Sequence, residues 1–177
     1  MDALSKTELL ALLGAARDWR ERDWLMILVA YSHGLRASEV VALTPDNLRD
    51  GFLTVQRLKG SYKTTQPLIE SNEPLLNERA ALVEFAAKST ENQRIFPITR
   101  GQFWRVMQLH AESAGLPAHK RHPHILKHTV AMQLIGTAGI ENTRQYLGHK
   151  SISSTGEYLQ VSDQDASSAA RAILSGD

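Results

Sequence analysis

The chain has 177 residues, 42% of them apolar and 22% charged, which suits one compact domain rather than a disordered segment. Its 20 Lys+Arg against 19 Asp+Glu leave a formal charge of +1, so any surface for a polyanion must arise from local clustering. The absence of cysteine excludes disulfide scaffolds, thiolate zinc sites and thiol nucleophiles, and no apolar run reaches the ~18–20 residues that span a bilayer. The expectation is a soluble cytoplasmic domain with no membrane partner.

Helical signals dominate in chain order. Ser5-Lys-Thr-Glu8 reads as a capping box, with Leu9, Leu10, Leu12, Leu13 and Ala16 as the apolar stripe behind it. A second helix is expected from Glu21 to Ser32, stopped by Gly34. A short third one runs from Ala37 to Leu43 and ends at Thr44-Pro45, because proline disfavours helical geometry in the residue before it. The period then changes from 3.6 to 2. Gly51–Val55 and Thr64–Ile69 read as strands joined by a polar stretch, and Pro67 places the second at a sheet edge. Helices resume over Glu73–Ala87, from the box Thr99-Arg-Gly-Gln102 to Gly115-Leu-Pro117, and from Pro123 to Ile135, where Gly136 and Gly139 punctuate. Shorter helices fit Ile140–Leu147, Ile152–Gln160 and Asp163–Leu174. The expected fold class is mainly α with a small antiparallel β-sheet.

Overall neutrality hides a basic second half. Between Arg94 and Lys150, eight Lys/Arg (Arg94, Arg100, Arg105, Lys120, Arg121, Lys127, Arg144, Lys150) face only Glu112 and Glu141. Six of the seven histidines lie there too: His110, His119, His122, His124, His128 and His149. Such a segment can grip phosphate and move protons. On the helix opened by Pro123, His124 and Lys127 share a face and His128 lies one turn beyond His124. His124 and His128 also have the i, i+4 spacing of zinc ligands, but the intervening Ile-Leu-Lys supplies no glutamate base, and the Lys127 cation would repel Zn²⁺.

Taken in order, Gly34-Leu-Arg36-Ala-Ser-Glu39, the hairpin Lys59-Gly60, His124-Ile-Leu-Lys127-His128, Leu147-Gly-His149 and Tyr158 nine residues on resemble the catalytic domain of the tyrosine recombinases, the phage integrase family. The run Gln56-Arg-Leu-Lys-Gly60 leading to Thr64-Thr-Gln-Pro-Leu68 resembles the short members that invert fimbrial switches. Each motif is weak alone; their order and the gap of nine make the set specific. The likeness extends from about Ser5 past Tyr158.

The resemblance implies the tyrosine recombinase catalytic fold and site-specific cleavage and rejoining of DNA, without metal, ATP or other cofactor. Tyr158 would be the nucleophile that forms a 3′-phosphotyrosine, which stores the bond energy for rejoining. Arg36 would hold non-bridging phosphate oxygens, His124 and His149 would add hydrogen bonds or proton transfer, and Lys59 would protonate the leaving 5′-oxygen. Glu39 would orient its neighbours, and His128 would pack or hydrogen-bond behind the site. Lys127 stands where the family usually has arginine; it keeps the charge without the bidentate fork, so a working but slow enzyme is expected, the alternative being a DNA-binding homologue without turnover. Arg100, Arg105, Lys120, Arg121 and Lys150 are candidate DNA contacts, whereas His119 and His122 read as exposed loop residues. The implied partners are double-stranded DNA at specific sites, further copies of the chain in a tetramer on DNA, and a host DNA-bending protein. The whole chain, 1–177, is expected to be one catalytic domain with its core in 1–160 and a C-terminal helical tail in 161–177, and without the N-terminal domain that larger recombinases carry.

Overall fold

A computed structural model of the chain describes residues 2–58, 60–90 and 93–156. Two of the anticipated site residues, Lys59 and Tyr158, and the anticipated helix Asp163–Leu174 lie outside the described residues. Helix α1 (Lys6–Trp19) opens on the Ser5/Glu8 capping box, and Leu9, Leu12, Leu13 and Ala16 face the core. Helix α2 (Glu21–Ser32) is buried nearly all round, with every residue from Trp24 to Ala30 in the interior. A helix apolar on all faces must lie at the centre of a domain. It packs against α1 and against α6 (His124–Tyr146). Asp23 ties it to α5 (Arg100–Ser113) through a 2.9 Å contact with His110, both side chains being buried.

The sheet has three antiparallel strands in the order β1 (Leu48–Arg49), β2 (Phe52–Val55), β3 (Thr64–Pro67). β2 and β3 were expected, whereas the two-residue β1 carries too short a pattern to be read from sequence. Pro67 does lie on an edge strand, opposite Phe52. Leu53 and Val55 point inward on β2, and Thr64 and Gln66 do so on β3.

Three helix boundaries depart from expectation. The third helix, α3, covers only Ala37–Val40. Glu73–Ala87 splits into a 3₁₀ turn, Pro74–Leu76, and α4, Arg79–Ala86, because Pro74 starts the turn while Glu78 goes inward to a buried partner. The segments expected as Pro123–Ile135 and Ile140–Leu147 form α6, a pair of helices kinked where expected at Gly139, whose φ of 81° and ψ of 169° are non-helical, but the first runs on past Ile135. Gly136 does not interrupt it. A last described helix, α7 (Ser153–Gly156), begins within the expected Ile152–Gln160.

The terminations of α2 and α6 matter most for the site. Gly34 donates to Tyr31 O and Leu35 to Ala30 O; Gly148 donates to Gln145 O and His149 to Arg144 O. Both are Schellman caps with glycine at positive φ, 58° and 71°. One delivers Arg36, the other His149.

Candidate active site

Arg36 begins α3, and Glu39 folds back onto it. The Glu39 carboxylate accepts the Arg36 backbone N–H at 2.8 Å, the Arg36 guanidinium at 3.2 Å, the Leu58 N–H at 3.1 Å and Arg57 Nη1 at 3.1 Å. Alone, the Arg36–Glu39 spacing reads as an ordinary surface pair, but the Glu39 side chain is fully buried while that of Arg36 stays 30% exposed. Burial pushes the Glu39 carboxyl up, yet the backbone N–H of Arg36 and the Arg57 charge outweigh it, and the group ionises below the usual carboxylate range.

Arg57 is a functional candidate that the motif reading did not single out. Its buried guanidinium donates to Glu39, to His33 O at 2.8 Å and to Gly34 O at 3.4 Å, so it clamps the loop that presents Arg36. A sequence signal for it exists: Leu53, Val55 and Arg57 share the inward phase of the strand, and Leu58 is exposed.

Lys127 lies on the inner face of α6. It is only 2% exposed, and its Nζ is buried with no hydrogen-bond partner among the described residues. Burial, then the charges of Arg36 and Arg57, press its pKa down to about 8. His149 is buried as well, its Nδ1 3.0 Å from Thr155 Oγ1 on α7, and its backbone carbonyl accepts Arg144 Nη1 at 2.8 Å. Burial, then Lys127, Arg36 and Arg57, lower its pKa to about 4, so its imidazole is neutral at physiological pH. The loop after β2 is anchored to the same turn, for Tyr62 N–H donates to Gly148 O at 2.7 Å and Ser61 bridges His149.

His124 is exposed at the start of α6 and lines, with Arg36, Ser38, Arg100, Trp104 and His122, a cleft of about 570 Å³. His128 packs edge-on against His124, ring centroids 4.2 Å apart, and burial followed by the neighbouring His124 and His122 lowers its pKa to about 4. Arg36, Glu39, Arg57 and Lys127 therefore form one cluster of interacting charges around the neutral His149, with His124 at its open side.

The DNA-contact candidates divide. Arg100, Arg105 and Lys150 are exposed, Lys150 lying over the Tyr62 ring at 5.5 Å. Lys120 is instead bonded to both Glu8 oxygens at 2.9 Å, and Arg121 to Leu116 O and Glu112, so both cations are engaged within the fold. His119 is exposed as expected, but His122 is half-buried and lines the cleft.

The phage integrase family matches residues 2–165. The chain belongs to this family. The tyrosine recombinase XerD of Xanthomonas campestris pv. campestris is 33% identical over 92% of the chain and 56% of its own length. The type 1 fimbriae regulatory protein FimB of Escherichia coli K12 is 29% identical over 86% of the chain and 80% of its own length. The chain spans about half the length of the XerD relatives it matches. Among solved structures, XerA recombinase superposes with a TM-score of 0.75 at 21% identity, covering 96% of this chain and 62% of that one. A lambda integrase tetramer bound to a Holliday junction gives 0.68 at 20% identity, covering 85% and 47%. The fold is that of the tyrosine recombinase catalytic domain.

Among the described residues, no helix of this phage integrase family member is long and apolar enough to cross a membrane.

Proposed function

We propose that this chain is the catalytic domain of a site-specific DNA recombinase working through a 3′-phosphotyrosine at Tyr158. The observation that carries this reading is the cationic cluster itself. A buried Lys127 Nζ with no partner among the described residues, beside Arg36 and Arg57, is costly in an empty fold and is relieved by a bound anion. A phosphodiester is the anion that the family membership suggests.

In this mechanism the Tyr158 oxygen attacks phosphorus, its proton is taken up by a nearby base, and the bond from phosphorus to the 5′-oxygen breaks. Lys59 protonates the departing 5′-oxygen. Arg36 and Lys127 stabilise the charge that gathers on the non-bridging oxygens, and fixed donors do this best when they need not reorganise. His149, neutral and with Nδ1 engaged by Thr155, would use Nε2 toward the phosphate or the phenol. His124 would add a donor from the open side, and His128 would hold the His124 ring. Glu39 and Arg57 keep Arg36 in place. Rejoining is the reverse, with a free 5′-hydroxyl attacking the phosphotyrosine, so the energy of the broken bond is retained and neither ATP nor a metal is required.

Of the five expected DNA contacts, Arg100, Arg105 and Lys150 are exposed enough to meet DNA, while Lys120 and Arg121 would have to exchange carboxylates for phosphate. By analogy with the lambda integrase tetramer, strand exchange would involve four copies of this domain, and with its modest net charge a host DNA-bending protein would assist synapsis. Comparing wild type with Tyr158→Phe tests the reading. An enzyme loses strand cleavage and keeps DNA binding, whereas a binding protein without turnover is indifferent to the change.

A further inference from the structure

The seventh histidine, His33, lies outside the basic segment, with Glu78 fully buried against it. It caps α2 immediately before Gly34. Its Nε2 is 2.7 Å from Glu78 Oε1 and its Nδ1 is 2.9 Å from Gln66 Oε1. The Gln66 amide is oriented by its own donor, since Nε2 reaches Tyr146 O at 2.7 Å, which leaves Oε1 as the atom facing the ring. Glu78 Oε1 also accepts the Ile69 N–H at 2.9 Å. The Gln66 Oε1 acceptor makes Nδ1 a donor, and opposite an ionised Glu78 the Nε2 donates as well, which makes the ring an imidazolium. Among the described residues, Glu78 Oε2 is buried without a hydrogen-bond partner, and His33 touches this carboxylate as the counter-ion a charged Glu78 requires. The other ionisable groups on this network are Arg57, which donates to His33 O, and Tyr146, whose hydroxyl donates to Ser32 O at 2.7 Å.

The cluster joins three segments that carry the site. Through its backbone carbonyl His33 holds Arg57, and Arg57 holds Glu39 and the Arg36 loop. Through Gln66 it holds the carbonyl of Tyr146, three residues before His149. Through Glu78 it pins Ile69, two residues past β3, to the N-cap of α4.

We infer that His33, held as an imidazolium between Gln66 and Glu78, is a positioning residue that sets the Arg36 loop and the His149 turn at their working separation. Its functional meaning rests on the recombinase reading above. A neutral or missing member leaves a buried donor or acceptor unpaired and lets the two Schellman turns shift relative to one another. A shift of about 1 Å in such a constellation can cost ~10²-fold in rate.

The test uses the full chain. In ¹⁵N-histidine spectra at pH 7, His33 is expected to show both ring nitrogens protonated; one nitrogen with a free lone pair overturns the inference. Glu78→Gln keeps the shape and removes the charge. On a nicked duplex built from the genomic fragment that Tyr158→Phe retains, Glu78→Gln should form covalent adduct at least tenfold more slowly at saturating DNA, with half-saturation within threefold of wild type. A lower melting temperature with an unchanged adduct rate well below the melt would mean a merely structural role and overturn the proposal. If Glu78→Gln does not fold, the wild-type spectrum decides. If wild type itself forms no adduct, the recombinase reading fails and this inference falls with it, an outcome distinct from equal rates in wild type and variant.

Discussion

Arg57 Nη1 lies 3.1 Å from Glu39 Oε2, with both side chains inside the protein. The same guanidinium spans the carbonyls of His33 and Gly34, so one cation sets the shape of the turn that delivers Arg36. Buried pairs of this kind cost desolvation when formed, and removing one partner strands the other. Arg57→Met should therefore destabilise the domain by about 3–5 kcal/mol, read from urea unfolding. Arg57→Lys should recover only part of this, since one ammonium cannot reach all three acceptors.

Lys127 behaves in the opposite way. Its pKa is about 8 in the fold against 10.5 for the free side chain, so between those values the unfolded chain holds the extra proton and stability rises with pH. Below pH 8 the full penalty is present. Lys127→Met should then be more stable than wild type at pH 7, by up to about 3 kcal/mol, with the difference shrinking as pH is raised from 8 toward 10.5. The same change should lower the rate of strand cleavage by about 10²–10³-fold. A variant that gains stability and loses cleavage would mark Lys127 as a residue kept for the phosphate.

The acid limb has a definite sign. His149 and His128 both titrate near 4 in the fold against 6.5 unfolded, because burial and then nearby cations or histidines disfavour their charged forms. Between these values the unfolded chain binds more protons, so stability is lost as pH falls from 6.5 toward 4. The lowered carboxyls of Glu39 and Asp23 add to the loss at lower pH still, since each stabilises the fold only while ionised. Denaturant midpoints should begin to fall near pH 6.5, and His149→Asn should flatten the first part of that decline.

Gly148 has φ of +71°, and a Cβ there would sit 2.7 Å from Tyr62 O and 2.8 Å from Thr64 Cγ2. Gly148→Ala has to strain the backbone and push away the loop that bonds the His149 turn. A loss of at least ~2 kcal/mol is expected in thermal or urea unfolding, with cleavage falling further than stability because His149 moves with the turn.

Much of this architecture was legible before any coordinates. The boxes Ser5/Glu8 and Thr99/Gln102 mark helix starts because side chain and backbone satisfy each other locally, and Gly34 marks a stop for the same local reason. Local chemistry is what sequence patterns carry. The exceptions are tertiary. Glu78 is drawn inward by His33, a contact between residues 45 positions apart that divides an otherwise plausible helix. The strand β1 exists only because β2 pairs with it. In the site, Arg36, His124, Lys127 and His149 are singled out by the resemblance of their motifs to the family's, whereas Arg57 is not, although its inward phase is readable. That Lys120 and Arg121 are bonded within the fold depends on Glu8 and Glu112 coming close, which no local pattern encodes.

The central claim is that Tyr158 becomes covalently joined to DNA. Genomic fragments retained by Tyr158→Phe supply the binding site, and a nicked duplex made from that site lets the downstream piece diffuse away after cleavage, trapping the adduct. Digestion and mass spectrometry of the trapped complex should then find a nucleotide attached through its 3′-phosphate to the tyrosine of the peptide containing Tyr158. Tight binding with no adduct, or an adduct on any other residue, would contradict the account.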